Sequence, residues 1–353
     1  MDRRAFIHTS GTAALGLAVF RGESFAPGAA NVPMGIVVHS YGIRWQSKFP
    51  SAKYPGFADA VDMMNHCRQI GAAGVQVVVK GWSSDFAKKV RATRENLGLY
   101  LEGSIAIPAS TSDVPRFEQE LIAAKEAGAQ VLRTVSSSGR RYEAYHNSAE
   151  VEDFKLRAIQ SLQLTTPVLA KHKVRLAVEN HKDWLADELV YALKKINSEW
   201  IGVTLDFGNS ISLIEDPMDV VEKLAPYAFS THVKDMGVDE YADGFLLSEV
   251  PMGKGILDLQ RIYSVCLKHN PGITFNLEMI TRDPLQVPCL KQEYWNVLSS
   301  RTGEDLANTL RMVRSRKYPE SLPRTSQLSA EEKLALEENN ILECLKYNKT
   351  IAA

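Results

Sequence analysis

Cysteine is scarce. The chain has 353 residues and only four cysteines, Cys67, Cys266, Cys289 and Cys344, all far apart. That spacing excludes a disulfide-built scaffold and a CxxC zinc site, leaving four core or surface thiols. A basic excess is missing too: 41 Lys and Arg stand against 42 Asp and Glu, a net charge of −1. General nucleic-acid binders carry such an excess, so no nucleic-acid partner is expected. A glycine-rich phosphate loop is also absent after the first apolar run, where His39-Ser40-Tyr41-Gly42 stands. An open dinucleotide-binding sheet would need one there. What is present is ordinary globular composition, 45% hydrophobic and 24% charged.

The first 30 residues read as an address. Arg3-Arg4 precede Phe6-Ile7, and a weakly apolar stretch fills 11–20. A bilayer-spanning helix takes about 20 apolar residues, so this stretch is too short to cross. Paired arginines before a short Ala/Gly/Leu run resemble a twin-arginine export signal, and Gly28-Ala29-Ala30 suit cleavage. The expectation is an exported, periplasmic protein without stable membrane association. The divisions expected are a signal at 1–30, a catalytic domain at 31–316, and a linker with a C-terminal helix at 317–353.

Eight short apolar runs follow, at 34–39, 75–80, 99–105, 130–135, 174–179, 201–206, 228–234 and 273–279. They are nearly continuous in hydrophobicity, as parallel strands buried on both faces are. Segments of helical periodicity separate them, including 58–71, 117–128, 151–172, 217–224 and 257–269. Asp216 and Pro217 mark one helix start as cap and first-turn residue. Eight βα units over this length predict an α/β fold, a (β/α)8 TIM barrel with a C-terminal helical extension. The stretch 304–314 reads as the closing eighth helix, and 330–347 as a further amphipathic helix beyond a polar linker.

Barrel chemistry sits at the carboxyl ends of the strands. Run five ends in Glu179, run six in Asp206, run seven carries His232 near its end, and run eight carries Glu278. Three carboxylates at one mouth repel one another, and a divalent cation removes the conflict. Glu179, Asp206, His232 and Glu278 are therefore the expected ligands of one divalent metal ion. Oxygen donors with one imidazole suit Mn²⁺, Mg²⁺ or Co²⁺, and admit Zn²⁺. Lys234, two residues past His232, is a candidate for stabilising a developing oxyanion. Arg282, in the loop after Glu278, is a candidate for a substrate hydroxyl or anion. His39, Lys80, Glu102 and Arg133 also fall at or near strand ends, and Trp45, Trp82 and Trp184 fall in βα loops.

The segments Val178-Glu179-Asn180-His181, Leu205-Asp206, His232-Val233-Lys234-Asp235, Gly253-Lys254-Gly255-Ile256-Leu257-Asp258 and Leu277-Glu278 together resemble the xylose-isomerase-like TIM-barrel superfamily, over about residues 34–315. The resemblance implies that Glu179, Asp206, His232 and Glu278 bind one metal. It also implies that Glu179 and Glu278 act from opposite sides of the substrate, and that the loop carrying Lys254 lies beside the site. One position departs. Ketose epimerases of this superfamily carry a histidine three residues after the strand-six aspartate, where Asn209 stands here. That weakens a plain ketose 3-epimerase reading and leaves His181 to supply a polar substrate contact, with Asn209 and Lys254 as further substrate-binding candidates. Most of the extra histidines and aspartates of the more distant endonuclease IV are not evident. Superfamily members are often dimers or tetramers, which admits a homo-oligomer.

A divalent ion chelating a carbonyl and its neighbouring hydroxyl makes the adjacent C–H acidic. One carboxylate can remove that proton and an acid opposite can return it. The expected function is a sugar isomerase or epimerase acting on a free sugar or keto-sugar. Elimination from a 3-keto-glycoside or keto-sugar is the alternative. A non-catalytic periplasmic sugar-binding barrel is the other.

Overall fold

The computed structural model describes residues 32–351; the signal-like segment 1–30 lies outside them. Eight parallel strands close a barrel: β1 (Met34–Val37), β2 (Gly74–Val78), β3 (Tyr100–Ser104), β4 (Val131–Thr134), β5 (Arg175–Glu179), β6 (Ile201–Asp206), β7 (Ala228–Val233) and β10 (Thr274–Leu277). Each coincides with one of the eight apolar runs, β2 starting one residue early. β10 pairs with both β7 and β1, which completes the ring. The fold is thus the expected (β/α)8 barrel.

The helices are α1 (Ala60–Gln69), α2 (Ser84–Leu97), α3 (Val114–Glu126), α4 (Arg141–Ala144), α5 (Ser148–His172), α6 (Ala186–Ile196), α7 (Pro217–Leu224), α8 (Leu259–His269), α9 (Gln292–Trp295), α10 (Gly303–Ser315) and α11 (Ala330–Asn348). Local chemistry sets several starts. Asp216 accepts from the backbone N–H of Met218 at 2.8 Å and of Asp219 at 3.2 Å, with Pro217 in the first turn. Ser329 caps α11, and Glu332 reciprocates from its third position. All four cysteines are buried and free. No helix among the described residues is long and apolar enough to cross a membrane.

Two features depart from expectation. Between β7 and α8 the chain makes an antiparallel hairpin, β8 (Asp235–Tyr241) and β9 (Gly244–Val250), joined by β11 (Leu285–Val287) in a three-stranded sheet. This sheet has its own apolar core, Val238, Phe245, Leu247, Val287, Tyr294 and Val313 among it. Helix α10 packs here through Val313, and so it is not the barrel's eighth helix. That place goes to α11. Its Ile341, Cys344 and Leu345 join the barrel core. Tyr263 of α8 donates to Asn348 Oδ1 at 3.0 Å, and His66 of α1 meets Glu338 at 3.0 Å. Asn348 Nδ2 also donates to the carbonyl of Val32, just before β1, at 2.7 Å. The C-terminal helix is part of the barrel wall. Both stretches are amphipathic, and periodicity alone does not say what an apolar face meets.

The Gly-x-Gly-x-Leu-Asp segment follows the hairpin. Asp235 Oδ2 accepts from the N–H of Gly253 and of Gly255, both at 2.9 Å, and Oδ1 from Leu257 N–H at 3.1 Å. A Cβ at residue 255 would stand 2.1 Å from Asp235 Oδ1, so only glycine lets the loop close on that carboxylate. Asp258 then caps α8.

Candidate metal and active site

Glu179, Asp206, His232 and Glu278 converge at the carboxyl ends of β5, β6, β7 and β10. Each offers one ligand atom, and those atoms lie within 4.8 Å of one another. All four residues are buried. His232 Nδ1 stands 3.3 Å from Glu278 Oε1, 3.5 Å from Glu179 Oε2 and 3.9 Å from Asp206 Oδ2.

Each carboxylate is held from behind. Arg133 of β4 donates Nε at 2.7 Å, and also Nη2, to Glu179 Oε2, while Asn209 Nδ2 donates to Glu179 Oε1 at 2.9 Å. Asp206 Oδ1 accepts from the N–H groups of Gly208 and Asn209 at 2.9 and 2.8 Å. Lys234 Nζ lies 2.5 Å from Glu278 Oε2 and 2.7 Å from Asp206 Oδ2. The second contact is an ion pair without hydrogen-bond alignment, which leaves Asp206 Oδ2 without a hydrogen-bond donor. His39 Nδ1 meets Glu278 Oε1 at 3.0 Å.

Charge and burial oppose each other here. Burial alone would protonate Glu179, but Arg133 and His232 hold its carboxyl well below the usual range. Against the same burial, Lys234 and His232 hold Glu278 low. Asp206 shifts upward: burial leads, Glu278 and Glu179 add to it, and Lys234 pulls the other way. Burial opposes charge on His232, yet Glu278 and Glu179 win and raise it to about 9. The space beside Nδ1 therefore favours a cation.

The residues present fit a divalent metal ion. Two buried ligand atoms, Asp206 Oδ2 and His232 Nδ1, have no hydrogen-bond partner. The far side of the imidazole is fixed. His232 Nε2 meets Gln76 Oε1 at 2.8 Å, and Gln76 Nε2 donates to Glu102 Oε2 at 2.9 Å. Glu102 also accepts from Ser230 Oγ at 2.7 Å, from Asn276 Nδ2 at 3.2 Å and from Thr274 Oγ1. A fully engaged Glu102 turns the Gln76 oxygen toward His232, which puts the imidazole proton on Nε2. Nδ1 then presents its lone pair to the three carboxylates, the orientation a metal ligand needs. Gln76→Leu removes this acceptor. It is expected to weaken Mn²⁺ binding about 10–100-fold in a calorimetric titration.

Above the cluster lies a cavity of about 240 Å³, lined by His39, Arg133, Glu179, His181, Lys182, Asn209, Glu278 and Arg282 among others. Glu179 and Glu278 reach it; Asp206 and His232 lie beneath. His181 and Asn209 line it as expected. Burial, with Lys182 alongside, lowers His181 to about 3 and keeps it neutral. Lys234 is 1% exposed and does not line the cavity. Lys254 does not line it either: its exposed ammonium pairs with Glu343 of α11 at 2.5 Å. The glycine loop turns that side chain outward. Trp184 is core, packed on Phe154 at 5.1 Å between centroids. Sequence reasoning missed Gln76, whose amide carries no chemistry of its own, and Lys182, whose charge reads as surface.

Fold and cluster together define a (β/α)8 barrel with a carboxylate–imidazole cluster at its mouth that could hold a metal ion. The chain belongs to the xylose isomerase-like TIM barrel family, whose model matches residues 64–301. It is 24% identical to 3-oxo-isoapionate decarboxylase of Pectobacterium atrosepticum over 237 residues, 65% of this chain and 80% of that protein. Among solved structures it resembles a xylose isomerase-like barrel from Mycobacterium smegmatis in complex with magnesium. That likeness has a TM-score of 0.52 and 16% identity, and covers 80% of this chain and 97% of that one. It also resembles 3-keto-D-glucoside 4-epimerase of E. coli, with a TM-score of 0.52, 12% identity, and 81% and 99% covered.

Proposed function

We propose that this protein is a divalent-metal-dependent enzyme that removes a proton beside the carbonyl of a free sugar or keto-sugar, an isomerase or epimerase. One observation carries the reading: of the four clustered residues, Glu179 and Glu278 are the two that line the cavity. A divalent ion, when bound, polarises a carbonyl oxygen and so acidifies the neighbouring C–H. The rest falls to side chains. Arg133 and Asn209 hold Glu179 as a carboxylate, and Lys234 with His39 holds Glu278, so both stand in the proton-accepting form. A C–H between them loses its proton to one carboxylate. Return of that proton to the neighbouring carbon isomerises the sugar; for inversion the opposite carboxylate first takes a proton from water and delivers it to the other face, and the first carboxyl releases its own to water. Lys234, sunk between Asp206 and Glu278, is a positioning residue in this scheme.

The decarboxylase relative favours a second reading, a lyase. Loss of CO₂ from a β-keto acid leaves the same carbanion beside a carbonyl, and that carbanion, once formed by proton removal, can instead expel a β-oxygen substituent to give a C=C bond; the same groups serve both. Arg3-Arg4 and the short apolar run behind them support export, which favours unphosphorylated substrates. The test is proton exchange in D₂O, followed by NMR on Mn²⁺-loaded protein with a panel of ketoses and 3-keto-glycosides. Deuterium is expected beside the carbonyl, and EDTA should abolish its entry. The product then separates epimerase, isomerase and lyase. No exchange on any compound by metal-loaded protein would sink the enzyme reading.

A further inference from the structure

We propose that the substrate is an acidic sugar, a keto-sugar carrying a carboxylate that seats between Lys182 and Arg282. This rests on the catalytic reading above and names the substrate class.

Lys182 is 4% exposed and lines the cavity. Its ammonium hydrogen-bonds to Asn209 Oδ1, and among the described residues no carboxylate lies within ion-pair distance of it. Lys234 makes the contrast. It is just as buried, but two carboxylates sit on its ammonium. A buried cation without a counter-charge is costly, and such a cation at a cavity wall implies a ligand that supplies the charge. Arg282 lines the same cavity. Its Nε and Nη2 are occupied by Glu249, at 3.1 and 2.5 Å, which leaves the Nη1 edge free of protein partners among the described residues. A guanidinium edge beside an ammonium is a carboxylate-recognition pair.

Charge decides between kinds of anion. Glu249 compensates Arg282, Glu179 compensates Arg133, and Lys182 is left with about one positive charge. A carboxylate carries one negative charge; a phosphate monoester carries about −1.5 to −2 at neutral pH. Size agrees, because ligand pockets run from about 300 Å³ upward for larger molecules. A cavity of about 240 Å³ matches one sugar unit. Asn209 belongs to the same device, as its amide oxygen holds Lys182 while its amide nitrogen holds Glu179.

The test is a calorimetric titration of metal-loaded protein with D-fructose, D-fructuronate and D-fructose 6-phosphate, which differ only at C6. Wild type should bind the carboxylate at least tenfold more tightly than the neutral sugar. Lys182→Arg should keep that preference, and Lys182→Met should bring the ratio near one. Thermal melts establish that both variants are folded. Equal affinities in wild type, a preference that survives Lys182→Met, or tighter binding of the phosphate would each overturn the proposal. Equal affinities with D₂O exchange intact on fructose sink the acid site and leave the proposed function standing. An intact acid preference without exchange on any of the three sinks the function and leaves the anion site standing.

Discussion

Glu278→Gln is expected to cut deuterium exchange beside the substrate carbonyl by about 10²–10⁴-fold, the range for removing a general acid or base. It should also weaken Mn²⁺ binding, since one of the four residues that could hold the ion is lost. Glu179→Gln should lose exchange equally but behave differently toward denaturant. Glu278 leans on Lys234, which keeps Asp206 as a partner when Glu278 is neutralised. Glu179 leans on Arg133, for which it is the ion-pair partner in a buried setting. Removing one member of a buried pair costs about 3–5 kcal/mol, because the other charge is stranded. Urea titration of the two variants separates them: similar inactivation, and a large stability loss only for Glu179→Gln. Lys254→Ala is the control. With its ammonium out on α11, kcat/KM should move less than about twofold, within the roughly ±0.5 kcal/mol of surface substitutions. Equal stability of the two glutamine variants would refute the division of labour drawn here.

Truncation after Arg316 should leave the protein unable to fold. If α11 were a dispensable extension, the shortened chain would stay soluble with little change in Tm. The structure says otherwise. Leu334, Ile341, Cys344 and Leu345 are buried, three of them in the barrel core. Burying a large apolar side chain is worth about 1.5–3 kcal/mol, so Leu334, Ile341 and Leu345 alone contribute about 4.5–9 kcal/mol. Whole domains are stable by about 5–15 kcal/mol. Polar anchors add to this. Glu337 accepts from the N–H groups of Ile43 and Arg44 at 2.7 and 3.1 Å, and Glu338 pairs with Arg44 at 2.9 Å. Solubility on expression and circular dichroism of the truncated chain are the measurements. A soluble, cooperatively melting product would show that the helix is not part of the wall.

The candidate metal cluster was legible because geometry and sequence coincide at strand ends. A parallel barrel puts the last residue of every strand on one rim, so Glu179, Asp206, His232 and Glu278 could be placed together without knowing any side-chain direction. The way that cluster is supported was not legible, although Glu102 and Arg133 are marked by their place near strand ends. Gln76, Glu102, Ser230 and Asn276 sit inside strands β2, β3, β7 and β10, and no spacing links them. The antiparallel hairpin was missed for a related reason. It interrupts a βα alternation whose next members, α8 and β10, are where the period puts them. Lys182 needed its surroundings: a lysine in a loop reads as solvated until every other charge near it is accounted for.

The hydrogen bond from Asn348 to the carbonyl of Val32 spans 316 positions of sequence. A chain made from its amino end meets that fact as a matter of timing. β1 gains β2 as a neighbour early, but its other edge stays open until β10 has been synthesised. The wall outside it stays bare until residue 348 has been made. An open strand edge invites pairing with other chains. Non-local closure of this kind is slow. The barrel therefore cannot close until residue 348 has emerged, and the interval before closure is when this protein most needs protection from its own copies.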